Sequence, residues 1–371
     1  MVRGAKKAVR ASREPSAAAA KAPPGGPGFH RATIGDVAKL ARVSTTAVSF
    51  VLNGRNAGIP ETTQKRISEA ARELHYRPHG LIRGLKARRT HVVGLFVQDP
   101  ADMRAPLFSL FVAGLSRGCC QSGYDMLLYR SASPAEELEA SLFLDGRIDG
   151  LCFWGREDQK ALEDLGRLGF PVVSLFDSEA PMSVGAVWAN DGAAYSTLLD
   201  GLLREGRRQF VFCHGELSNP IHRSRCRAFL ETAAKKGIAR GQIQTLGPGA
   251  ASTAPEALRL VEVFGSEATA VFARDDLHAA SLIRFAEKAG HRAAEDFPII
   301  GYDNCGSSIS GRCVATTRTP IYEIGVRAIA QLDSIISGQA VGSARECLPV
   351  EVIEGEAVAP APRRRLKNLA V

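Results

Sequence analysis

The chain has 371 residues, with 47 Lys and Arg against 39 Asp and Glu and a formal net charge of +8. No stretch is long and apolar enough to span a bilayer, which excludes a helical membrane protein. Residues 1–90 hold 18 basic and 5 acidic side chains, leaving 29 against 34 for the other 281, and this asymmetry is the footprint of a nucleic-acid-binding module attached to something else.

Residues 1–32 read as a disordered basic tail. Five Lys or Arg precede residue 14, an Ala run follows, and Pro-Pro-Gly-Gly-Pro-Gly occupies 23–28, so nothing there can build a core. The run Ser-Ala-Ala-Ala-Ala at 16–20 is too short for the hydrophobic region of a signal peptide, and a cytoplasmic protein is expected. Added non-specific DNA affinity and an inert start both stay open for this tail.

Residues 33–77 carry three amphipathic helical patterns. Thr33 followed by Asp36 is a capping-box pattern, and Ile34, Val37, Ala38 and Ala41 recur at helical spacing. Ser44 is a good N-cap for a second helix, which places Ala47, Val48, Val51 and Leu52 on one stripe. Only Arg42 to Ser44 separate the two patterns, room for a tight turn between crossed helices and nothing longer. A third helix opens with Pro60 and Glu61 and buries Ile67, Ala70, Ala71 and Leu74. The spacing predicts a DNA-binding helix-turn-helix, with Ser44, Thr45, Thr46, Ser49, Phe50 and Asn53 as its candidate DNA contacts. A plain helical bundle would show the same stripes, but it would not need the coincident basic charge.

These residues resemble the lactose-repressor (LacI/GalR) family of bacterial transcription regulators. The likeness rests on Ile34-Gly-Asp-Val-Ala-Lys-Leu-Ala, Val43-Ser-Thr-Thr-Ala-Val-Ser-Phe-Val-Leu-Asn, Thr63 to Ile67 and Leu74-His-Tyr-Arg-Pro, in that order and nearly without gaps. It implies that Thr45, Thr46 and Phe50 read bases in the major groove. Phe50 stands where Arg or His is usual.

Residues 78–90 are basic and contain Gly80 and Gly84, each costing about 1 kcal/mol of helix propensity relative to Ala. Alone, the segment should not hold a helix. The resemblance implies a hinge that becomes helical on operator DNA, with Leu85 wedged into the minor groove from each subunit of a homodimer and Arg83 and Lys86 on phosphates. A flexible linker is the other reading.

From His91 onward, apolar β-type runs alternate with helical patterns. Strands are expected at 92–97, 126–129, 148–153, 172–176, 210–213, 270–272 and 299–302, with helices between them, the first starting at Phe108. The rhythm predicts an α/β fold with parallel sheets covered on both faces, and the length suggests two sheets. A helix near 320–337 and a strand near 348–353 complete the pattern. The resemblance implies a periplasmic-binding-protein-like core of two doubly wound lobes joined by three crossovers, expected near Gly206, Thr317 and Leu348. The N-terminal lobe is then 91–205 with 318–347 and the C-terminal lobe 206–317 with 348–360. Residues 361–371 form a basic tail without the apolar heptads of a tetramerising coil.

The eight cysteines lie at 119, 120, 152, 213, 226, 305, 313 and 347 with no C-x-x-C spacing, and no metal ligands, cofactor or catalytic residues are expected. Cys213 and His214 are neighbours on a strand and point to opposite faces, so they cannot pair as nucleophile and base. Gly247-Pro-Gly-Ala-Ala-Ser-Thr lacks the Lys of a phosphate loop and shows no strand signal before it, so it reads as a plain loop.

The resemblance further implies an effector cleft between the lobes, its positions falling on Phe108, Trp154, Asp191, Arg225, Arg274 and Asp303. The last five sit at or just after strand ends, where open α/β sheets bind ligands. Trp154 stands where a small polar residue is common, and Arg274 where Asn is usual. A buried guanidinium needs an anion, which points to an effector with a carboxylate or phosphate on Arg274, its ring on Trp154 and its hydroxyls on Asp191 and Asp303. Asp275 or Asp276 is the alternative counter-ion. The expected function is a transcriptional regulator, by default a repressor, binding double-stranded operator DNA as a homodimer under control of a sugar, sugar acid or sugar phosphate. A solute-binding or carbohydrate-processing protein using only the core is the alternative, and it leaves the first 90 residues unexplained.

Overall fold

The computed structural model describes residues 32–54, 58–76, 89–129, 138–155, 160–248, 250–292, 296–305, 315–339 and 344–354. The expected hinge contacts Arg83, Leu85 and Lys86 lie outside them, as do residues 1–31 and 361–371 of the two tails. The chain divides into two compact units at Arg83 and Gly84.

In the first unit, α1 (Ile34–Ala41) is opened by the capping box: Asp36 N–H donates to Thr33 Oγ1 at 3.3 Å and Thr33 N–H to the Asp36 carboxylate at 2.8 Å. The helix ends where Arg42 turns left-handed at φ 53°. Helix α2 (Thr45–Leu52) starts on Ser44, whose Oγ accepts from Ala47 N–H, and α3 (Glu61–Glu73) follows. Their apolar stripes meet in one core of Val37, Ala41, Val48, Ile67 and Ala71. Arg66 donates to the Ala41 carbonyl at 2.9 Å, giving a partner to an end group of α1 that the helix itself leaves open.

The second unit is built on two sheets. The first contains β1 (Val92–Val97), β2 (Asp125–Tyr129), β3 (Gly150–Trp154), β4 (Val172–Leu175), β5 (Gly185–Asn190) and β11 (Arg345–Pro349), in the order β11-β5-β4-β3-β1-β2. The second contains β6 (Gln209–Cys213), β7 (Ile243–Leu246), β8 (Thr269–Phe272), β9 (Ile299–Ile300), β10 (Ala315–Arg318) and β12 (Glu351–Glu354), in the order β12-β10-β9-β8-β6-β7. Every pairing is parallel except that of β10 with the edge strand β12. Strands buried on both faces must be apolar throughout, which is why Val92–Val97 and Gly150–Trp154 read as continuous runs. Strands β7 and β10 were not visible as such because Gln244, Thr245, Thr316 and Thr317 interrupt the run. The Gly247 loop therefore does follow a strand.

Helices α4 (Phe108–Ser122), α5 (Lys160–Arg167) and α10 (Ile321–Ile336) cover the first sheet, and α6 (Asp191–Arg204), α7 (Pro220–Lys235), α8 (Ala250–Phe264) and α9 (Asp276–Lys288) belong to the second. This corrects the expected first lobe, 91–205. Tyr195, Leu198, Leu199 and Leu202 of α6 pack with Phe210 and Phe229 in the second lobe's core, so the first crossover lies between Asn190 and Asp191. Gly206 only ends the helix, with φ 89°. The single strand expected at 348–353 is two strands, one in each sheet, with the third crossover at Val350.

Helices α4 and α10 cross at glycine. A Cβ on Gly114 would land on the Tyr322 carbonyl oxygen, and one on Gly325 would lie 2.7 Å from Phe111 O and Leu115 N. Backbone cannot withdraw as a side chain can, so Gly114→Ala should lower stability by about 1–3 kcal/mol or more through overpacking. A thermal midpoint equal to wild type would show that the crossing can open at no cost.

Candidate nucleic-acid interface and effector cleft

On α2 the apolar stripe faces the three-helix core, and its packing decides which side chains are left outside. Of the six candidate contacts, Ser44 is engaged as the N-cap, while Asn53 Nδ2 donates back to Ser49 O at 2.6 Å and to Ser49 Oγ at 3.3 Å. Thr45, Thr46 and Phe50 remain exposed, without a side-chain hydrogen bond among the described residues. Phe50 is 44% exposed, much for an aromatic ring on a folded surface. The three outward residues are those for which the family resemblance implied base contacts.

In the core, parallel strands aim their C-terminal ends at the space between the lobes. Trp154, the last residue of β3, is only 4% exposed. Phe176 approaches its ring to 4.7 Å between centroids, Phe111 meets it edge-on at 5.6 Å and Phe108 lies at 6.1 Å. The expected stacking of an effector ring on Trp154 is corrected by this packing, since aromatic neighbours already occupy its surroundings. Its buried indole N–H has no hydrogen-bond partner among the described residues. Ile221, from α7 of the other lobe, packs against the same cluster, and Asn219 Nδ2 donates to Asp102 Oδ1 across the lobes at 2.9 Å.

Opposite stands a buried polar network that brings Asp191, Arg225 and Asp303 together. Arg225, on α7, makes a two-pronged contact with Asp303 at 2.5 and 3.2 Å and lies 3.8 Å over the Tyr302 ring. Thr319 donates to Asp303 Oδ1 at 2.9 Å, and Tyr302 donates its hydroxyl proton to Asp191. Asp303 adopts φ 81°, a left-handed conformation that costs a non-glycine residue energy, and these contacts hold it there. Burial pulls the Arg225 guanidinium down, but Asp303, Tyr302 and Asp191 outweigh it and hold Arg225 charged. Tyr302, Thr319 and Thr317, whose Oγ1 accepts from Asp303 N–H at 3.4 Å, were not among the expected residues. Tyr302 was within reach because it adjoins Asp303 in Gly-Tyr-Asp-Asn, whereas the two threonines carry no local signal.

Asp191 opens α6 at the lobe crossover and is 6% exposed. Burial pushes its carboxyl up to about 6, and the Arg225 charge and the Tyr302 hydroxyl oppose that push without cancelling it. The unfolded chain releases this proton near 3.8, so the folded state binds the extra proton between 3.8 and about 6, and stability falls as pH rises through that window. Asp191→Asn keeps an acceptor for Tyr302 and should flatten this slope, raising stability at neutral pH by about 2–3 kcal/mol. Urea midpoints measured from pH 4 to 7 check it, and an unchanged slope in the variant would refute it.

Arg274 and Phe108 complete the candidate set. The Arg274 side chain is 32% exposed, and its Nε donates to Asp275 Oδ2 at 2.9 Å. The expectation that a ligand must neutralise a buried Arg274 is thus corrected: Asp275, which also caps α9, is its counter-ion. Near it, burial and the charges of Arg225 and Arg274 drive His222 down to about 3, so its ring is neutral. Among the described residues no group of three His, Cys, Asp or Glu is arranged to hold a metal, and no helix is long and apolar enough to cross a membrane.

Residues 33–79 match the bacterial regulatory proteins of the lacI family, and residues 199–358 match the periplasmic binding protein-like domain. Catabolite control protein A of Priestia megaterium is 28% identical over 328 residues, 85% of this chain and 96% of that protein. The HTH-type transcriptional repressor PurR of Erwinia tasmaniensis is 29% identical over 344 residues, 90% of this chain and 98% of that one. The chain belongs to the lacI family of bacterial regulatory proteins. As a lacI-family protein it is a DNA-binding transcriptional regulator. Its fold matches that of the lac repressor dimer bound to operator and the anti-inducer ONPF, with a TM-score of 0.75 at 21% identity, over 88% of this chain and 99% of that one. A complex of the transcriptional regulator CelR with cellobiose aligns at a TM-score of 0.62 and 21% identity, over 88% of this chain and all of the other.

Proposed function

We propose that this lacI-family chain acts as a homodimeric repressor whose recognition helix α2 reads an operator half-site through Thr45, Thr46 and Phe50, and whose grip on DNA is set by a sugar or sugar derivative bound between the lobes. The observation that carries this reading is the α2 face: three side chains left outward at adjoining helix positions, one of them an exposed aromatic ring, on a strongly basic segment. Phosphate contacts from that basic segment supply affinity, and base-edge contacts supply selectivity. A homodimer suits an operator of two half-sites one helical turn apart, with Arg83, Leu85 and Lys86 as the hinge contacts between them. Asp191, Arg225 and Asp303 line the proposed effector site with Phe108 and Arg274 at its edges. The relative complexed with cellobiose supports a carbohydrate-like ligand for this cleft.

Fluorescence anisotropy with DNA from the gene's own upstream region tests the reading. Tight, sequence-selective binding that carbohydrate-like metabolites modulate is the expected result. Affinity equal to that for scrambled DNA would overturn it.

A further inference from the structure

Where the chain enters the core, Arg89, Thr90 and His91 are each tied down. Arg89 Nη2 donates at 2.9 Å to the carbonyl of Ile336, the last residue of α10. That oxygen is one of the four that a helix end leaves without an intrahelical partner, and a cation there also meets the negative end of the helix dipole. The Thr90 N–H and hydroxyl donate to Asp149 Oδ1 at 2.6 and 2.8 Å, and the His91 N–H donates to Asp149 Oδ2 at 2.8 Å. These bonds hold His91 left-handed at φ 56°, a conformation that a residue with a Cβ rarely adopts unaided. Tyr124, its ring 6.2 Å from that of His91, donates its hydroxyl proton to Asp333 of α10 at 3.0 Å. The entering segment is therefore fixed against the C-terminal end of α10.

The other end of α10 lies at the cleft. Thr319, two residues before the helix, donates its hydroxyl proton at 2.9 Å to Asp303, which belongs to the second lobe and is gripped by Arg225. Between the two contacts run the 16 residues of α10, about 24 Å of helix. The helix cannot bend aside on the way. Gly114 and Gly325 bring its backbone against that of α4, and Ile324, Ala328, Ile329 and Leu332 are fully buried in the first lobe's core. Strand β1 also joins the two ends, but it is laddered to β2 on one side and β3 on the other and moves only with the sheet. Helix α10 instead bonds directly to the second lobe at one end and to the entering segment at the other.

We propose that α10 carries the state of the cleft to the DNA-binding end of the chain, with Thr319 as its contact with the second lobe and Arg89 as its contact with the entering segment. This rests on the reading above, that the core sets the grip on DNA, and assigns the route. The bond from Thr319 to Asp303 is either made or broken, and a close-packed helix passes such a discrete change along as a shift of its whole body. Arg89 is a positioning residue, setting how residues 89–91 sit on the core.

The test is a double-mutant cycle on the full-length chain. Thr319→Val cuts the bond to Asp303 at nearly constant shape, and Arg89→Met keeps the stem but loses the donor to Ile336. Anisotropy on the gene's upstream DNA, against scrambled DNA, gives the selective Kd. Thr319→Val should change it by at least about fivefold alone and by less than about twofold in the Arg89→Met background, and Arg89→Lys, which keeps a cationic donor, should bring the dependence back. The loss of thermal midpoint caused by Thr319→Val should be the same in both backgrounds, which separates coupling from a structural role. Equal changes in Kd in the two backgrounds, or none in either, overturn the proposal. Hydrogen exchange without DNA keeps the route and the regulator apart. Thr319→Val should speed exchange of the Thr90 and His91 amides by at least about threefold, and Arg89→Met should abolish that response. Amides that ignore Thr319→Val sink the route even where DNA is bound selectively, whereas amides that respond in a chain without selective DNA binding uphold the route and sink the regulator.

Discussion

Asp303→Ala should lower the thermal unfolding midpoint of the core by roughly 10 °C, the consequence of about 3–5 kcal/mol lost when one partner of a buried ion pair is removed. Arg225 is 8% exposed, and the Asp303 side chain 17%, so water offers the orphaned guanidinium little compensation. The carboxylate also accepts from Thr319 and anchors a residue at φ 81°, where alanine adds its own penalty of about 1 kcal/mol. Asp303→Asn separates these causes. Asparagine tolerates the left-handed region and can still accept from Thr319, so its cost isolates the charge. The expected order of stability is wild type, then Asn, then Ala, with most of the loss already present in Asn. An Asn variant as stable as wild type would mean that Tyr302, stacked 3.8 Å under the guanidinium, holds Arg225 without a counter-ion. Replacing both Arg225 and Asp303 by leucine should cost less than Asp303→Ala alone, because no charge is then stranded.

Phe50→Ala should leave folding intact and change which DNA is chosen. Phe50 is 44% exposed and is not part of the three-helix core, so its truncation should alter stability by no more than about 0.5 kcal/mol. Against DNA, an aromatic ring on the recognition face can press on a thymine methyl, and such a contact discriminates by about 1–3 kcal/mol at one base pair. Two half-sites double the effect in a symmetric operator. The expected result is a loss of selectivity confined to one symmetric pair of operator positions, with Thr45 and Thr46 preserving it elsewhere. Uniform weakening over all sequences, together with a lowered unfolding midpoint, would instead give Phe50 a packing role.

The helix-turn-helix was legible down to its caps because every signal there is local. Thr33 and Asp36, three residues apart, satisfy each other's backbone donors; Ser44 caps α2; and the apolar spacing assigns the buried stripe, so what is left over is the outward face of α2. The alternation of apolar runs and amphipathic helices likewise determined a two-sheet α/β core, since strands covered on both faces must be apolar. Where each element goes is a different kind of fact. Helix α6 looks the same from its sequence whichever lobe it covers, and only the packing of Tyr195 and Leu199 against Phe210 and Phe229 assigned it to the second. The cleft shows the same division. Asp191, Arg225 and Asp303 were singled out through the family resemblance, and their places at strand ends and first turns agreed with it. That Arg225 reaches across 78 positions to Asp303, that Asp275 rather than a ligand answers Arg274, and that Trp154 is walled in by Phe111 and Phe176 depended on tertiary contact alone. Sequence by itself therefore determined the local elements and their caps, because residue type and short-range spacing set those; the fold decided which polar groups are already spent on one another, because a hydrogen bond or ion pair exists only between atoms that packing has brought within reach.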